Sequence, residues 1–131
     1  MKEKLAKIEK VNPVHSDDRG VITDVLNENI GHVGLITFAK GAIRGKHYHH
    51  QSTQYDYVLS GKLKLIVCLP DGSERQDYTL EPGMGSEVAP GIVHTYLALE
   101  ESTMIDMTTL GRKGDGYEAD TVRVDLPFTI I

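Results

Sequence analysis

Tryptophan is absent from this 131-residue chain, cysteine occurs once and phenylalanine twice. The lone thiol, Cys68, cannot close an internal disulfide, so no covalent staple holds the fold. It sits in the apolar run Leu65-Ile66-Val67-Cys68-Leu69, which reads as a buried strand carrying an inert thiol. No segment approaches the ~20 apolar residues of a membrane span. The opening MKEKLAKIEK carries Lys at 2, 4, 7 and 10 without a signal-peptide core, so the expected location is cytoplasmic and no membrane partner is expected. An excess of basic charge is missing too: 14 Lys and Arg stand against 19 Asp and Glu, for a net charge of −5. The basic residues are scattered and supply no phosphate-neutralising stripe, which argues against nucleic acid. An anionic ligand would have to be gripped by a few local Arg or Lys side chains.

What is present suits one packed domain, expected to span residues 1–131, with 40% hydrophobic and 25% charged residues. Thirteen Gly and five Pro punctuate short runs rich in Val, Ile, Thr and Tyr. Period-two alternation predicts strands over residues 21–26, 33–39, 43–49, 55–60, 62–69, 74–80, 86–89, 94–99, 104–110 and 121–124. Ser60-Gly61-Lys62, Pro70-Asp71-Gly72, Glu81-Pro82-Gly83 and Pro90-Gly91 supply the turns. The fold class is therefore all-β. So many short strands cannot lie flat without exposed edges, which leaves a closed barrel or a sandwich. The first ten residues show helical spacing at Leu5 and Ile8 but are too short to stand alone, and an edge strand or a dimer-swapped arm fits equally. Residues 111–116 read as a polar, Gly-rich, solvent-exposed loop.

The chemistry concentrates in Gly45-Lys46-His47-Tyr48-His49-His50-Gln51. On a strand, residues two apart share a face, so His47 and His49 project together while Tyr48 and His50 point away. The chain then returns through Gln54 and Asp56, and His94 opens a later strand that completes the set. Three imidazoles around one point make either a metal site, suited to Zn, Fe, Ni or Mn, or a proton-transfer site. Tyr96 shares a face with His94 and is either an acid or a satisfied core phenol. Asp56 and Asp106 stand at positions compatible with an inward side chain, Met104 and Met107 read as core, and His15 and His32 as surface.

These residues carry a resemblance. Gly41, His47-Tyr48-His49, Gln54 and Gly61, with five, four and six residues between them, resemble the first cupin motif, with Gln54 where metal-binding cupins usually have Glu. Gly83, Ala89-Pro90-Gly91 and His94, with five and two residues between them, resemble the second, with Ala89 for the usual Pro and Ala98 for a common Asn. The resemblance covers about residues 41–98 and implies a double-stranded β-helix, a jelly-roll barrel that is commonly dimeric. Asp17-Asp18-Arg19-Gly20-Val21 followed by Arg44-Gly45-Lys46-His47-Tyr48-His49 is similar to the cupins acting on nucleotide-linked 4-keto-6-deoxy sugars. Those are the 3,5-epimerases related to rhamnose synthesis and, more closely through the paired histidines, the 3,4-ketoisomerases.

That resemblance implies an isomerase or epimerase of deoxysugar or polysaccharide synthesis that works without a cofactor on a nucleotide-diphosphate sugar, as a homodimer. It implies diphosphate binding by Arg19 and Arg44, with Lys46, Gln54 and His94 as further substrate contacts. We assign His49 as principal base, His47 as its acid partner or carbonyl polariser, and Tyr96 as the candidate acid. Two rivals stand beside this reading. One is a metal-dependent dioxygenase or small-sugar isomerase that holds a divalent ion through His47, His49, His94 and a weak Gln54. The other is a non-catalytic sugar-binding cupin.

Overall fold

The alternating pattern gives twelve short strands and one short helix in the computed structural model, which describes residues 3–131. One five-stranded sheet runs β1 (Ala6–Lys10), β9 (Met84–Val88), β6 (Gln54–Ser60), β11 (Ser102–Thr108), β4 (His32–Phe38). The second runs β12 (Thr121–Arg123), β5 (Ile43–His49), β10 (Val93–Ala98), β7 (Leu63–Cys68), β8 (Gln76–Leu80). Every pairing is antiparallel, and strands adjacent in space are mostly distant in sequence, as in a jelly roll. The sandwich-or-barrel choice closes in favour of the jelly-roll barrel. β2 (His15–Asp17) and β3 (Gly20–Ile22) form a separate hairpin.

The expected strand over 21–26 is shorter than its composition suggests: only Gly20–Ile22 pairs, against β2, and the chain then runs irregularly to His32. The opening segment resolves as the edge strand β1, paired with β9 from Ala6↔Val88 to Lys10↔Met84. A sheet edge supplies the backbone partners that so short a helix could not. Residues 111–116 are a loop as expected, but α1 (Gly116–Asp120) follows it directly.

Alternation places Phe38, Val58, Leu63, Leu65, Val67 and Met104 between the sheets, each 0–1% exposed. Burying one such side chain contributes roughly 1.5–3 kcal/mol. Cys68 is buried, as its apolar run indicated. Ile66 and Leu97 belong to a second cluster with Ile130, against which Leu126 and Phe128 of the C-terminal segment pack. Further along the same strands the interior turns polar: Gln54, Asp56, Ser86, His94, Asp106 and Thr108 are each 1–5% exposed. Register sets this boundary, since Met104 opposes Val58, Asp106 opposes Asp56, and Thr108 opposes Gln54.

Candidate active site

The site begins with an irregularity in β5. His94 pairs with His47 but Thr95 pairs with Gly45, so Lys46 is an extra residue and the ladder bulges. Gly45 takes φ +107°, and a Cβ there would lie 2.5 Å from the His94 carbonyl oxygen, which only glycine avoids. The bulge resets the alternation, so Arg44 and His47 both border the cavity while Lys46 does not.

The cavity holds about 480 Å³ and is bordered by His47, Gln54, His94 and Tyr96, with Arg44, Arg112 and Arg123 around them. That volume suits a small organic ligand. Ile36, Phe38, Ile43 and Met104 supply an apolar wall. A cleft of about 290 Å³ outside the first sheet is bordered by Glu9, Asp24, Glu28 and Glu87 and no histidine; it offers none of this chemistry.

The expected cluster assembles. Ring centroids lie 4.6 Å apart for His47 and His94, 5.1 Å for His47 and His49, and 5.2 Å for His49 and His94. Burial pushes His47 down from 6.5 to about 4, with neighbouring His49 and Arg123 adding to the effect. His94 is pushed well below its ordinary value, first by burial and then by His47 and His49. Both rings are therefore neutral near pH 7. His94 directs Nδ1 at the Ile92 carbonyl, 3.3 Å away, and leaves a buried Nε2 without a partner.

His49 sits deeper, 3% exposed, and does not border the cavity. Its Nε2 meets Gln54 Oε1 at 3.0 Å and its Nδ1 meets Thr121 Oγ1 at 3.3 Å, with Asp120 Oδ2 at 3.8 Å. Asp120 in turn accepts from the backbone of Gln51 (2.7 Å) and Ser52 (3.2 Å). Burial alone would raise Asp120, but these hydrogen bonds outweigh it and lower the carboxyl overall. The Tyr96 hydroxyl is 2.5 Å from Asp56 Oδ2 and 3.0 Å from Ser86 Oγ, so its hydrogen is already committed.

Two expected substrate contacts lie elsewhere in the chain. Arg19 is bound to Asp17 at 2.7 Å at the tip of the β2–β3 hairpin, and neither it nor Lys46 borders the cavity. The sequence reading missed Arg112, Tyr117, Asp120, Thr121 and Arg123. Arg112 donates to Asp106 Oδ2 at 2.8 Å and lies 4.4 Å from the Tyr117 ring centroid, and Tyr117 stands 6.1 Å and 6.3 Å from the rings of His49 and His47. The only signal was an Arg inside a Gly-rich loop next to a Tyr, a pattern common to exposed loops. His15 is exposed as expected, whereas His32 is half-buried with Nδ1 4.0 Å from Asp106.

The fit of a divalent ion can be tested on these contacts. The donor atoms of His47, His49 and His94 lie within 4.8 Å of one another. Gln54 gives an amide hydrogen to Asp56 and turns its acceptor-only Oε1 to His49 Nε2, which must therefore carry hydrogen and has no lone pair to share. His49 as hydrogen-bonded here does not fit an ion.

No curated protein matches the chain in sequence. Among solved structures, it is similar to the QdtA 3,4-ketoisomerase from Thermoanaerobacterium thermosaccharolyticum, a double mutant in complex with TDP, at 23% identity and TM-score 0.74, covering 93% of this chain and 89% of that one. ChmJ, a 3'-monoepimerase from Streptomyces bikiniensis in complex with dTDP-quinovose, gives 17% identity and TM-score 0.76 over 95% of this chain and 72% of that one. The dTDP-4-dehydrorhamnose 3,5-epimerase from Sulfolobus tokodaii gives 18% identity and TM-score 0.70 over 96% and 88%. These likenesses establish the fold. Residues 34–107, more than half of the chain, match the cupin domain model, and the chain belongs to the cupin family.

Proposed function

We propose that the chain is an isomerase that moves the carbonyl of a nucleotide-linked 4-keto-6-deoxy sugar from C4 to C3 by histidine-mediated proton transfer. The observation that carries this reading is the juxtaposition in one cavity of a neutral, unpartnered His47 with three arginines. The hydrogen on C3 is acidified by the neighbouring ketone, and His47 removes it as the electron pair moves towards the C4 oxygen. A proton returns to C4 on the same side, from the His47/His49 pair, while the hydrogen of the C3 hydroxyl passes to the C4 oxygen. Atoms and charge balance, and no redox partner is needed.

The expectation of His49 as principal base is revised within this proposal. His49 lies behind His47 with both nitrogens engaged, so His47 meets the substrate and His49 serves as its acid partner. We assign the diphosphate, whose paired oxygens suit a planar guanidinium fork, to Arg44, which gives a single hydrogen bond to the Thr37 carbonyl at 3.2 Å, whereas the fork of Arg123 is closed on Glu118 at 2.9 and 3.0 Å. His94, whose Nε2 has no partner, is left to contact the sugar, while Gln54, engaged by His49 and Asp56, positions His49 instead of serving as the expected substrate contact. Tyr96, with its hydroxyl bound to Asp56, serves packing rather than acid catalysis.

The named relatives fit this substrate class, since one is called a 3,4-ketoisomerase and was determined with TDP. A cytoplasmic homodimer is part of the same proposal. What supports it is exposed apolar side chains that a second copy would cover, Val33 (65% exposed) and Leu35 (71%) on β4 and Val14, Val21 and Ile22 around the hairpin. No described helix is long and apolar enough to cross a membrane. The test is incubation with nucleotide-linked 4-keto-6-deoxyglucose, reading the carbonyl position by carbon NMR. A C3 ketone supports the proposal. Tight binding without turnover would transfer the case to a sugar-binding cupin, and stoichiometric metal with turnover of an unrelated substrate to the metal-dependent rival.

A further inference from the structure

Beneath the cavity two carboxyl groups oppose each other across adjacent strands, Asp56 of β6 and Asp106 of β11, exposed 2% and 1%. Each has one fully satisfied oxygen. Asp56 Oδ2 accepts from Gln54 Nε2 at 2.8 Å and from the Tyr96 hydroxyl at 2.5 Å, while Asp106 Oδ2 accepts from Arg112 Nη2 at 2.8 Å. Each also has one orphan, since Oδ1 of both residues is buried without any donor. Ser86 serves Tyr96, and two further buried nitrogens near Asp106, Arg112 Nε and His32 Nδ1, also lack a partner but hydrogen-bond to neither Oδ1, His32 standing 4.0 Å away on the Oδ2 side. Two buried, facing carboxylates cannot both hold a charge at tolerable cost.

We propose that Asp56 and Asp106 share one hydrogen between their Oδ1 atoms, and that this pair, acting through Gln54, fixes the hydrogen of His49 on Nε2. A single proton on Asp56 satisfies both orphans and leaves Asp106 charged opposite Arg112. Burial and the adjacent Asp106 raise Asp56 well above the usual carboxyl range, in keeping with this placement. Asp56 Oδ2 then accepts an amide hydrogen of Gln54, which obliges Gln54 to present its oxygen to His49. Asp56 is thus a positioning residue. It sets the tautomer of an imidazole with which it has no hydrogen bond of its own, and it explains why an amide at position 54 serves here.

The part played by the tautomer in turnover rests on the isomerase reading; the hydrogen pattern itself does not. The test is therefore made first on the resting protein. Long-range proton–nitrogen NMR of ¹⁵N-histidine-labelled wild type should show hydrogen on Nε2 of His49, with the resonance assigned from His49→Asn. Asp56→Asn, isosteric with a protonated Asp56, should leave that pattern unchanged and remove the infrared carbonyl band of a protonated carboxyl group. Gln54→Met should move the hydrogen to Nδ1, because Thr121 Oγ1 gives its own hydrogen to the Tyr117 carbonyl and can only accept from that nitrogen, with Asp120 beside it. With an active substrate, its kcat should fall at least about tenfold while KM moves less than about twofold. A wild-type His49 with a bare Nε2, or an acid band that survives in Asp56→Asn, overturns the proposal. Absence of turnover on every nucleotide sugar with the hydrogen pattern intact would count against the isomerase reading alone.

Discussion

Protonation of His47 should destabilise the folded protein, and the window follows from its surroundings. In the unfolded chain the ring titrates near 6.5, whereas in the fold burial first, then His49 and Arg123, holds it at about 4. Between those values the unfolded chain binds a proton that the native state refuses, so stability rises with pH across the window and is lost as pH falls from about 6.5 towards about 4. The fall from 6.5 to about 4, at ~1.4 kcal/mol per tenfold change in proton affinity, gives about 3.5 kcal/mol, which partial exposure of the ring reduces to roughly 2. His94, displaced in the same direction by its own burial, adds to the effect. The assay is urea denaturation of wild type and His47→Asn at about pH 7.5 and about pH 4.5. Wild type should lose roughly 2 kcal/mol more than the variant over that interval. Equal losses would refute the reasoning, because the acid sensitivity would then lie in carboxylates that both proteins share.

Other consequences are more local. Arg44→Ala should weaken binding of a nucleotide sugar about tenfold and leave binding of the free sugar unchanged, since only the former offers a diphosphate to the guanidinium; isothermal titration with both ligands checks it. Gly45→Ala should cost at least about 2 kcal/mol in thermal or urea unfolding, because the residue sits at φ +107° and its new methyl would meet the His94 carbonyl at 2.5 Å. Arg112→Ala removes the cation from a 1%-exposed Asp106, so its free energy of unfolding, read by urea denaturation, should fall by roughly 3 kcal/mol, with the loss smaller in Arg112→Ala/Asp106→Asn.

Legibility followed period and spacing. The strands of the barrel core showed themselves because each has a buried and a less buried face, as in β6, where Gln54, Asp56 and Val58 alternate with half-buried Tyr55 and Tyr57. The facing of His47 and His49 was readable from the same rule. The displacement of Lys46 was not, because a bulge depends on Gly45 meeting β10, a partner that the local sequence does not name. Residues 111–123 were opaque for a related reason. Arg112, Tyr117 and Asp120 act at positions set by tertiary contacts with Asp106, His49 and the backbone of Gln51 and Ser52, and their spacing repeats no pattern. Arg19 shows the opposite failing: its motif was visible, yet the hairpin carries it away from the cavity of its own chain. The inward placement of Asp56 was legible as a compatible position, but its link to His49 required the register that sets it against Asp106.

The most direct measurement follows solvent deuterium into a nucleotide-linked 4-keto-6-deoxyhexose by proton NMR, with wild type and His47→Asn in parallel. Wild type should place deuterium on C4 of the 3-keto product and, through reversal, on C3 of the 4-keto substrate, and the variant should lose at least about 100-fold of that rate. Exchange in the variant as fast as in wild type would show that another group handles the proton and would contradict the account.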